Sequence, residues 1–229
     1  MPEDPRPRSW PALVAALSAL AIVTAVGLAI VAHPGWSAAE LDAVAAVHGA
    51  SNSFFDVIAL GINAGLGPNG APFIVLLVLA WTLLLTHSWR RTLRVGIVIG
   101  IPWTIAELLK DVVQRPRPDA SQLAPMIVGD PTTYSYPSGH TAFAAALSCA
   151  VVLVLTMGRV RTISIVAGSV LVLLTAWSRV YLGVHYPTDV TASIALVPFL
   201  AIATSRLTRP WLEPDTASPA SVVTAETER

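Results

Sequence analysis

Six apolar runs constrain this chain more than any other feature. They lie at roughly 10–32, 70–87, 92–113, 139–157, 160–177 and 187–206. Each is close to the ~20 residues that a helix needs to cross the hydrocarbon core of a bilayer. The expected fold class is therefore an all-α membrane protein with six transmembrane helices. Composition agrees: 54% of residues are hydrophobic and 12% are charged, with a mean hydropathy of +0.66, against about 25% charged in a soluble domain. The formal net charge is zero, so no global field favours a nucleic-acid partner, and the bilayer is the partner this composition implies. The single cysteine, Cys149, lies inside an apolar run. It has no partner for an internal disulfide and reads as a small core residue.

The first run follows MPEDPRPRSW. Its apolar stretch of about 22 residues exceeds the usual 7–15 residue core of a signal peptide, so it reads as an uncleaved anchor. Trp10, Trp36, Trp89, Trp177 and Trp211 fall at or near proposed interfaces, where indole rings prefer to lie. Residues 33–69 are not apolar enough to cross. Ser37-Ala-Ala-Glu40 has the form of a capping box, and Ser53-Phe-Phe-Asp56 resembles a second helix start. They predict two short extracytoplasmic surface helices between the first two spans, followed by a glycine turn in NAGLGPNG. The chain divides into a cytoplasmic tail (1–9), one six-helix membrane domain (10–209) and a Pro/Ser/Thr-rich cytoplasmic tail (210–229) expected to be disordered.

With both termini in the cytoplasm, the cytoplasmic segments hold Arg6, Arg8, Arg90, Arg91, Arg94, Arg159, Arg161, Arg206, Arg209 and Arg229, ten of the fourteen basic residues. The positive-inside rule accounts for these. Lys110, Arg115, Arg117 and Arg179 fall on the other side and need a local reason. They sit at the outer ends of spans three and five, where His140 opens span four and His185 precedes span six. Cations and histidines converging on one membrane face predict an anion site.

Helix physics points the same way. In YSYPSGHTAF, Ser138 is a good N-cap, so Gly139, His140 and Thr141 form the first turn of span four. The amides of that turn have no acceptor within the helix and, with the helix dipole, favour an anion. Gly139 would let an oxyanion approach the backbone. Pro187 suits the first position of the last helix and places Asp189 in its first turn. From there the Asp189 carboxylate can reach back to one ring nitrogen of His185 and leave the other as a nucleophilic lone pair. His140 is a second imidazole, able to protonate a leaving oxygen. No cluster resembles a zinc or calcium site, so neither metal nor cofactor is expected.

Lys110-x6-Arg117-Pro118, Pro137-Ser138-Gly139-His140 and Ser178-Arg179-x5-His185-x3-Asp189 together resemble the three-part signature of the type 2 phosphatidic acid phosphatase superfamily. These are membrane lipid phosphate phosphatases, related to the vanadium haloperoxidases. The resemblance implies that His185 forms a phosphohistidine, that Asp189 orients it, and that His140 is the general acid and later helps to activate water. It further implies that Lys110, Arg117, Ser138, Gly139 and Arg179 bind the phosphate. The implied substrate is a membrane lipid phosphate, with an isoprenoid carrier diphosphate first and phosphatidic acid or phosphatidylglycerol phosphate next. The implied location is a bacterial plasma membrane with the site on its extracytoplasmic face.

Two other classes stay open: a lipid phosphotransferase using the same intermediate, and a non-enzymatic transporter or scaffold. A haloperoxidase reading fits poorly, because those enzymes are soluble. Arg115 stands outside the strict motif, although the RPRP form resembles the family. Glu107, one turn before Lys110, is either its ion-pair partner or an unrelated polar residue. His33, His48 and His87 carry no expected function, and Asp111, Asp119 and Asp130 read as loop solvation.

Overall fold

In the computed structural model, which describes residues 9–123, 127–129 and 131–212, every predicted apolar run is helical. The helices are α1 (Trp10–Ala32), α2 (Pro34–Gly49), α3 (Ser53–Leu66), α4 (Gly70–Thr86), α5 (Trp89–Val113), α6 (Gly139–Ala150), α7 (Gly158–Tyr181) and α8 (Pro187–Leu212). The described residues contain no strand. Of the tails read at 1–9 and 210–229, residues 1–8 and 213–229 lie outside the described residues, as do Arg6, Arg8, Arg229 and Asp130; the disorder expected from 210 is corrected at its start, because α8 continues to Leu212.

Four helices, α1, α5, α7 and α8, are long and apolar enough to cross a membrane. α4 has 17 residues, and α6 has 12 before a five-residue π segment, Val151–Leu155. Both are shorter apolar helices rather than full-length spans. α2 and α3 together pass the same test, but they are bent by 117° at their junction, as in a broken span or a re-entrant loop. The count by length and composition is thus four, or five with this pair.

Helix α6 is central and packs against α5, α7 and α8. Its sequence explains why: Ala142, Ala144, Ala145, Ala146 and Ala150 are buried, and small side chains let neighbouring backbones approach closely. α1 packs along α8. Large side chains such as Leu17, Leu84 and Ile163 point outward, as a lipid-facing surface requires.

α2 and α3 are tied into the bundle end that carries the motifs. Val44 of α2 packs with Val180, Tyr186 and Val190. Ala59 of α3 packs with Tyr181, Leu182 and Val184. His48, assigned no function above, is buried and its Nδ1 is 2.9 Å from the Tyr181 carbonyl oxygen.

Several local expectations are corrected. Ser37 and Glu40 do not form a capping box, because α2 already begins at Pro34 and both side chains bind Arg115 instead. The cap of α3 is Asn52 rather than Ser53: its side chain accepts from the amides of Phe54 and Phe55. The turn expected in NAGLGPNG is shorter, since α3 continues to Leu66. Arg94 lies inside α5 rather than in a loop. It is buried and donates to the Ser205 hydroxyl oxygen of α8 at 2.8 Å.

Candidate active site

Helix ends place the site. α5 stops where Gln114 enters the left-handed region (φ 55°) and its amide closes on the Lys110 carbonyl oxygen. Pro116 and Pro118 follow. They hold the preceding residues away from helical angles, and the chain carries Arg115 and Arg117 across the mouths of α6 and α8. Ser138 is the N-cap residue of α6, and Pro187 opens α8. Arg179 lies in the last turn of α7.

Lys110, Arg117, Gly139, His140, Arg179 and His185 line one cavity of about 550 Å³. The other two predicted residues, Ser138 and Asp189, are fully buried beside it. The structure therefore brings together all eight residues that the sequence singled out, from four separate segments.

His185 is 2% exposed. Its Nδ1 faces Asp189 Oδ2 at 3.3 Å and its Nε2 faces Arg117 Nη1 at 3.2 Å. A guanidinium only donates and a carboxylate only accepts. These partners therefore set the tautomer, with the proton on Nδ1 and the lone pair on Nε2, toward the cavity. Burial, followed by the Arg117, Arg179, Lys110 and His140 charges, holds the imidazole well below its ordinary pKa, so the ring stays neutral with an unprotonated Nε2. The Asp189 Oδ2 atom also accepts from the Tyr186 amide at 2.8 Å.

The cations are positioned differently from one another. Arg117 is tied to the neighbouring loops, donating to the Thr133 and Val184 carbonyl oxygens at 2.7 Å each. Arg179 donates through Nη1 to Asn63 Oδ1 at 2.9 Å, while its buried Nε has no acceptor among the described residues. Lys110 pairs with Glu107 at 2.8 Å, which answers the question left open for Glu107. A Cβ at Gly139 would overlap the Glu107 carboxylate and come within 3.0 Å of Lys110 Nζ. The glycine lets the Glu107–Lys110 pair lie directly against the first turn of α6.

Ser138 differs in detail from a standard cap. Its Oγ makes no bond to its own helix amides and accepts from Thr141 Oγ1 at 3.1 Å. The Ser138 amide donates to the Asp189 carbonyl oxygen and its carbonyl accepts from Ser193. These bonds lock the start of α6 to α8. The Nε2 atom of His140 lies 3.3 Å from the Asn63 carbonyl oxygen.

Asn63 is thus a site residue that sequence reasoning missed: it touches both Arg179 and His140. It sits in a stretch whose glycines read as a turn, and no spacing rule marks it. Asp111 and Asp119 do not line this cavity, and Asp119 instead caps the short turn Ala120–Gln122. Among the described residues, no three His, Cys, Asp or Glu side chains form a metal-binding group.

Comparison with known proteins completes the picture. A family model described as the PAP2 superfamily matches residues 91–212. The chain is 35% identical over 122 residues to a decaprenylphosphoryl-5-phosphoribose phosphatase of Mycobacterium tuberculosis, covering 53% of this chain and 64% of that protein. It is 30% identical over 176 residues to undecaprenyl-diphosphatase BcrC of Bacillus subtilis, covering 73% of this chain and 85% of that protein. A crystal structure of a transmembrane PAP2-type phosphatidylglycerolphosphate phosphatase from Bacillus subtilis superposes with a TM-score of 0.70 at 23% identity, covering 82% of this chain and 93% of that one.

Proposed function

The chain belongs to the PAP2 superfamily, and from that premise we propose that it is an integral membrane phosphatase acting on lipid phosphates through a phosphohistidine. The carrying observation is the pairing at His185: Nδ1 on a buried carboxylate and Nε2 toward a cavity walled by Lys110, Arg117 and Arg179.

In the proposed reaction, His185 Nε2 attacks phosphorus. The N–P bond forms and the bond to the leaving oxygen breaks, the ester oxygen of a lipid monophosphate or the bridging oxygen of a lipid diphosphate. His140 gives a proton to that oxygen. The arginines, the lysine and the first amides of α6 hold the charge of the transferring phosphoryl group, the largest single contribution expected in such a site. Water then enters, His140 takes its proton, the water oxygen bonds to phosphorus as the N–P bond breaks and returns its electron pair to Nε2, and inorganic phosphate leaves. Asp189 keeps the Nδ1 proton in place throughout. The positive charge comes from side chains, so no metal is assigned to the reaction.

The membrane arrangement belongs to the same reading. In it the chain crosses a bacterial plasma membrane six times, with α4 and α6 as short crossings, both termini lie inside, and the site faces outward. An isoprenoid carrier diphosphate is the leading substrate, supported by the name of the Bacillus undecaprenyl-diphosphatase, while the name of the mycobacterial relative supports a phosphate on a prenyl-linked group more generally. A diacyl lipid phosphate is next, supported by a 30% identical phosphatidylglycerophosphatase B of Bacillus subtilis.

The test is phosphate release by purified protein in mixed micelles, across isoprenoid diphosphates, diacyl lipid phosphates and soluble sugar phosphates. Turnover of the lipids should exceed that of the sugars, and His185→Ala should abolish both turnover and the covalent phosphoenzyme. A preference for soluble sugars would overturn the lipid assignment, and a preference for diacyl lipids only the leading substrate.

A further inference from the structure

Arg115 is a fully buried side chain of the motif-bearing loop that the proposed chemistry does not use. Its Nη1 donates to Asp189 Oδ1 at 2.7 Å and to Thr188 Oγ1 at 2.6 Å. Its Nη2 donates to Glu40 Oε2 at 2.7 Å and to Ser37 Oγ at 3.0 Å. Its Nε faces Ser37 Oγ at 3.3 Å, and its guanidinium carbon stands 4.0 Å from the centre of the Tyr186 ring. Neither Arg115 nor Asp189 exposes any of its side chain in this pair.

Glu40 does more than neutralise the arginine. Its Oε1 accepts from the Thr188 amide at 2.8 Å and its Oε2 accepts from the Thr188 hydroxyl at 2.7 Å. A residue of α2 therefore caps the N-terminus of α8, the turn that carries Asp189. The Ser-x-x-Glu pattern of α2 serves another helix.

We propose that Arg115 and Glu40 are positioning residues for catalysis: together they clamp Asp189 so that Oδ1 is engaged and Oδ2 is left for His185 Nδ1. The proposal rests on the reading of His185 as nucleophile. Its physical basis is direct. A carboxylate this deeply buried needs a partner to stay charged, and Arg115 supplies a planar fork in fixed geometry. Without it, an unpaired Asp189 competes for a proton, and a protonated Asp189 accepts from His185 Nδ1 only as a neutral acid, a weaker acceptor that no longer stabilises positive charge on the ring.

The other groups around the pair are known. Tyr136 and Tyr186 flank Asp189, and Lys110, Arg117, Arg179 and His140 act on His185 from the cavity side. None of them touches Asp189 Oδ1 in the way Arg115 does. The α2–α3 segment is thereby part of the catalytic apparatus, through contacts more than seventy residues apart in sequence.

The experiment uses the full chain, purified in detergent, with phosphatidic acid and an isoprenoid diphosphate as probes. Kcat and KM are measured against pH for Arg115→Gln, Arg115→Lys, Glu40→Gln and Ser37→Ala. Arg115→Gln should lower kcat by about 10- to 100-fold, the scale seen when outer partners of a catalytic group are lost, with KM little changed. The acid limb of kcat/KM should move to higher pH. Arg115→Lys should recover part of the kcat and return the limb to its wild-type position, because it restores charge without the fork. A fall in kcat with an unmoved limb would mean a merely structural role and overturn the proposal, as would wild-type kinetics.

Removing one partner of a buried ion pair can prevent folding. In that event Glu40→Gln and Ser37→Ala, which leave Arg115 in place, carry the test. They should lower kcat several-fold without raising KM, and unchanged kcat in both would overturn the clamp. His185→Ala in the same assay tests the parent reading alone. An inert His185→Ala beside an unaffected Arg115→Gln sinks only the clamp. A phosphoenzyme still formed by His185→Ala sinks the nucleophile and, with it, this role for Arg115.

Discussion

The central helix α6 borders two cavities of similar size and opposite character. At its N-terminal end lies the space of about 550 Å³ walled by Lys110, Arg117, Arg179, His140 and His185. Along its second half, toward α7 and α8, lies a space of about 490 Å³ walled mainly by residues such as Ala145, Cys149, Leu153 and Val172. Polar groups occur in both, but they behave differently. In the second cavity the Ser148 hydroxyl lies 2.8 Å from the Ala144 carbonyl oxygen of its own helix and 3.4 Å from the Gly168 carbonyl oxygen of α7, so its proton has an acceptor. At the first, side chains from α3, α5, α7 and two loops reach toward one point, and the Arg179 Nε has no acceptor among the described residues. Volume does not distinguish the two cavities; convergent, incompletely satisfied charge does.

The largest expected contrast between the two ends of α6 is all-or-none. If they lie on opposite membrane faces, cysteines placed at Gln122 and at Arg159, both exposed, should label differently in a Cys149→Ala background. An impermeant thiol reagent applied to intact cells should reach the cysteine at 122, and should reach the one at 159 only after lysis. The reverse pattern would put the site in the cytoplasm. Equal labelling of both would end the idea that the two cavities belong to different faces.

Next in size is the effect of His140. Its replacement by alanine should slow turnover of lipid substrates by about 10²–10⁴-fold, the usual worth of general acid–base catalysis. An aryl phosphate, whose leaving group needs little protonation, should recover part of that loss in His140→Ala and none in His185→Ala. Equal recovery in both variants would refute the division of roles.

A smaller effect concerns pH. The His185 imidazole is held well below 6.5 by burial and by the cations facing it. Its lone pair is therefore available at neutral and mildly acidic pH, and the activity limb that belongs to it should appear only well below pH 6.5. The same shift has a sign for stability. As pH falls below 6.5, the unfolded chain gains a proton that the folded chain refuses, so His185 makes the protein less stable toward acid. A His185→Gln variant should lose less thermal stability than wild type between pH 7 and pH 5. A greater loss in the variant would contradict this environment for His185.

Much of this contrast was legible in the sequence, and the part that was not has a clear cause. Lys110, Arg117, His140, Arg179, His185 and Asp189 stand at fixed spacings within short segments, each beside a helix end marked by serine, glycine or proline, so their convergence could be anticipated. The runs at 70–87 and 139–157 were legible as apolar helices, but not their shortness: α4 ends at Thr86 and α6 gives way to a π segment at Val151. Ser37, Glu40 and Asn63 were misread or missed because their partners lie far along the chain. The Ser-x-x-Glu pattern looks like a local cap, and only the tertiary arrangement shows Glu40 bound to Arg115 and Thr188. Local patterns disclose groups that serve their own helix; groups that serve another helix leave no periodic trace.

The smallest expected effect completes the comparison from the apolar side. Cys149 lines the second cavity and is only partly buried. Truncating it to alanine removes one sulfur atom from a wall that already borders empty space. A fully packed site would lose both transfer free energy and cavity energy, but here little new cavity is created. The expected destabilisation is about 1 kcal/mol or less, at the low end for buried truncations. The charged cavity at the other end of α6 should not register the change, so kcat/KM for lipid substrates should stay at the wild-type value while thermal stability falls slightly. A marked loss of activity in Cys149→Ala with stability intact would show that the second cavity is coupled to turnover, for instance by holding part of the substrate tail. The two cavities would then be halves of one binding path rather than a site and a packing defect.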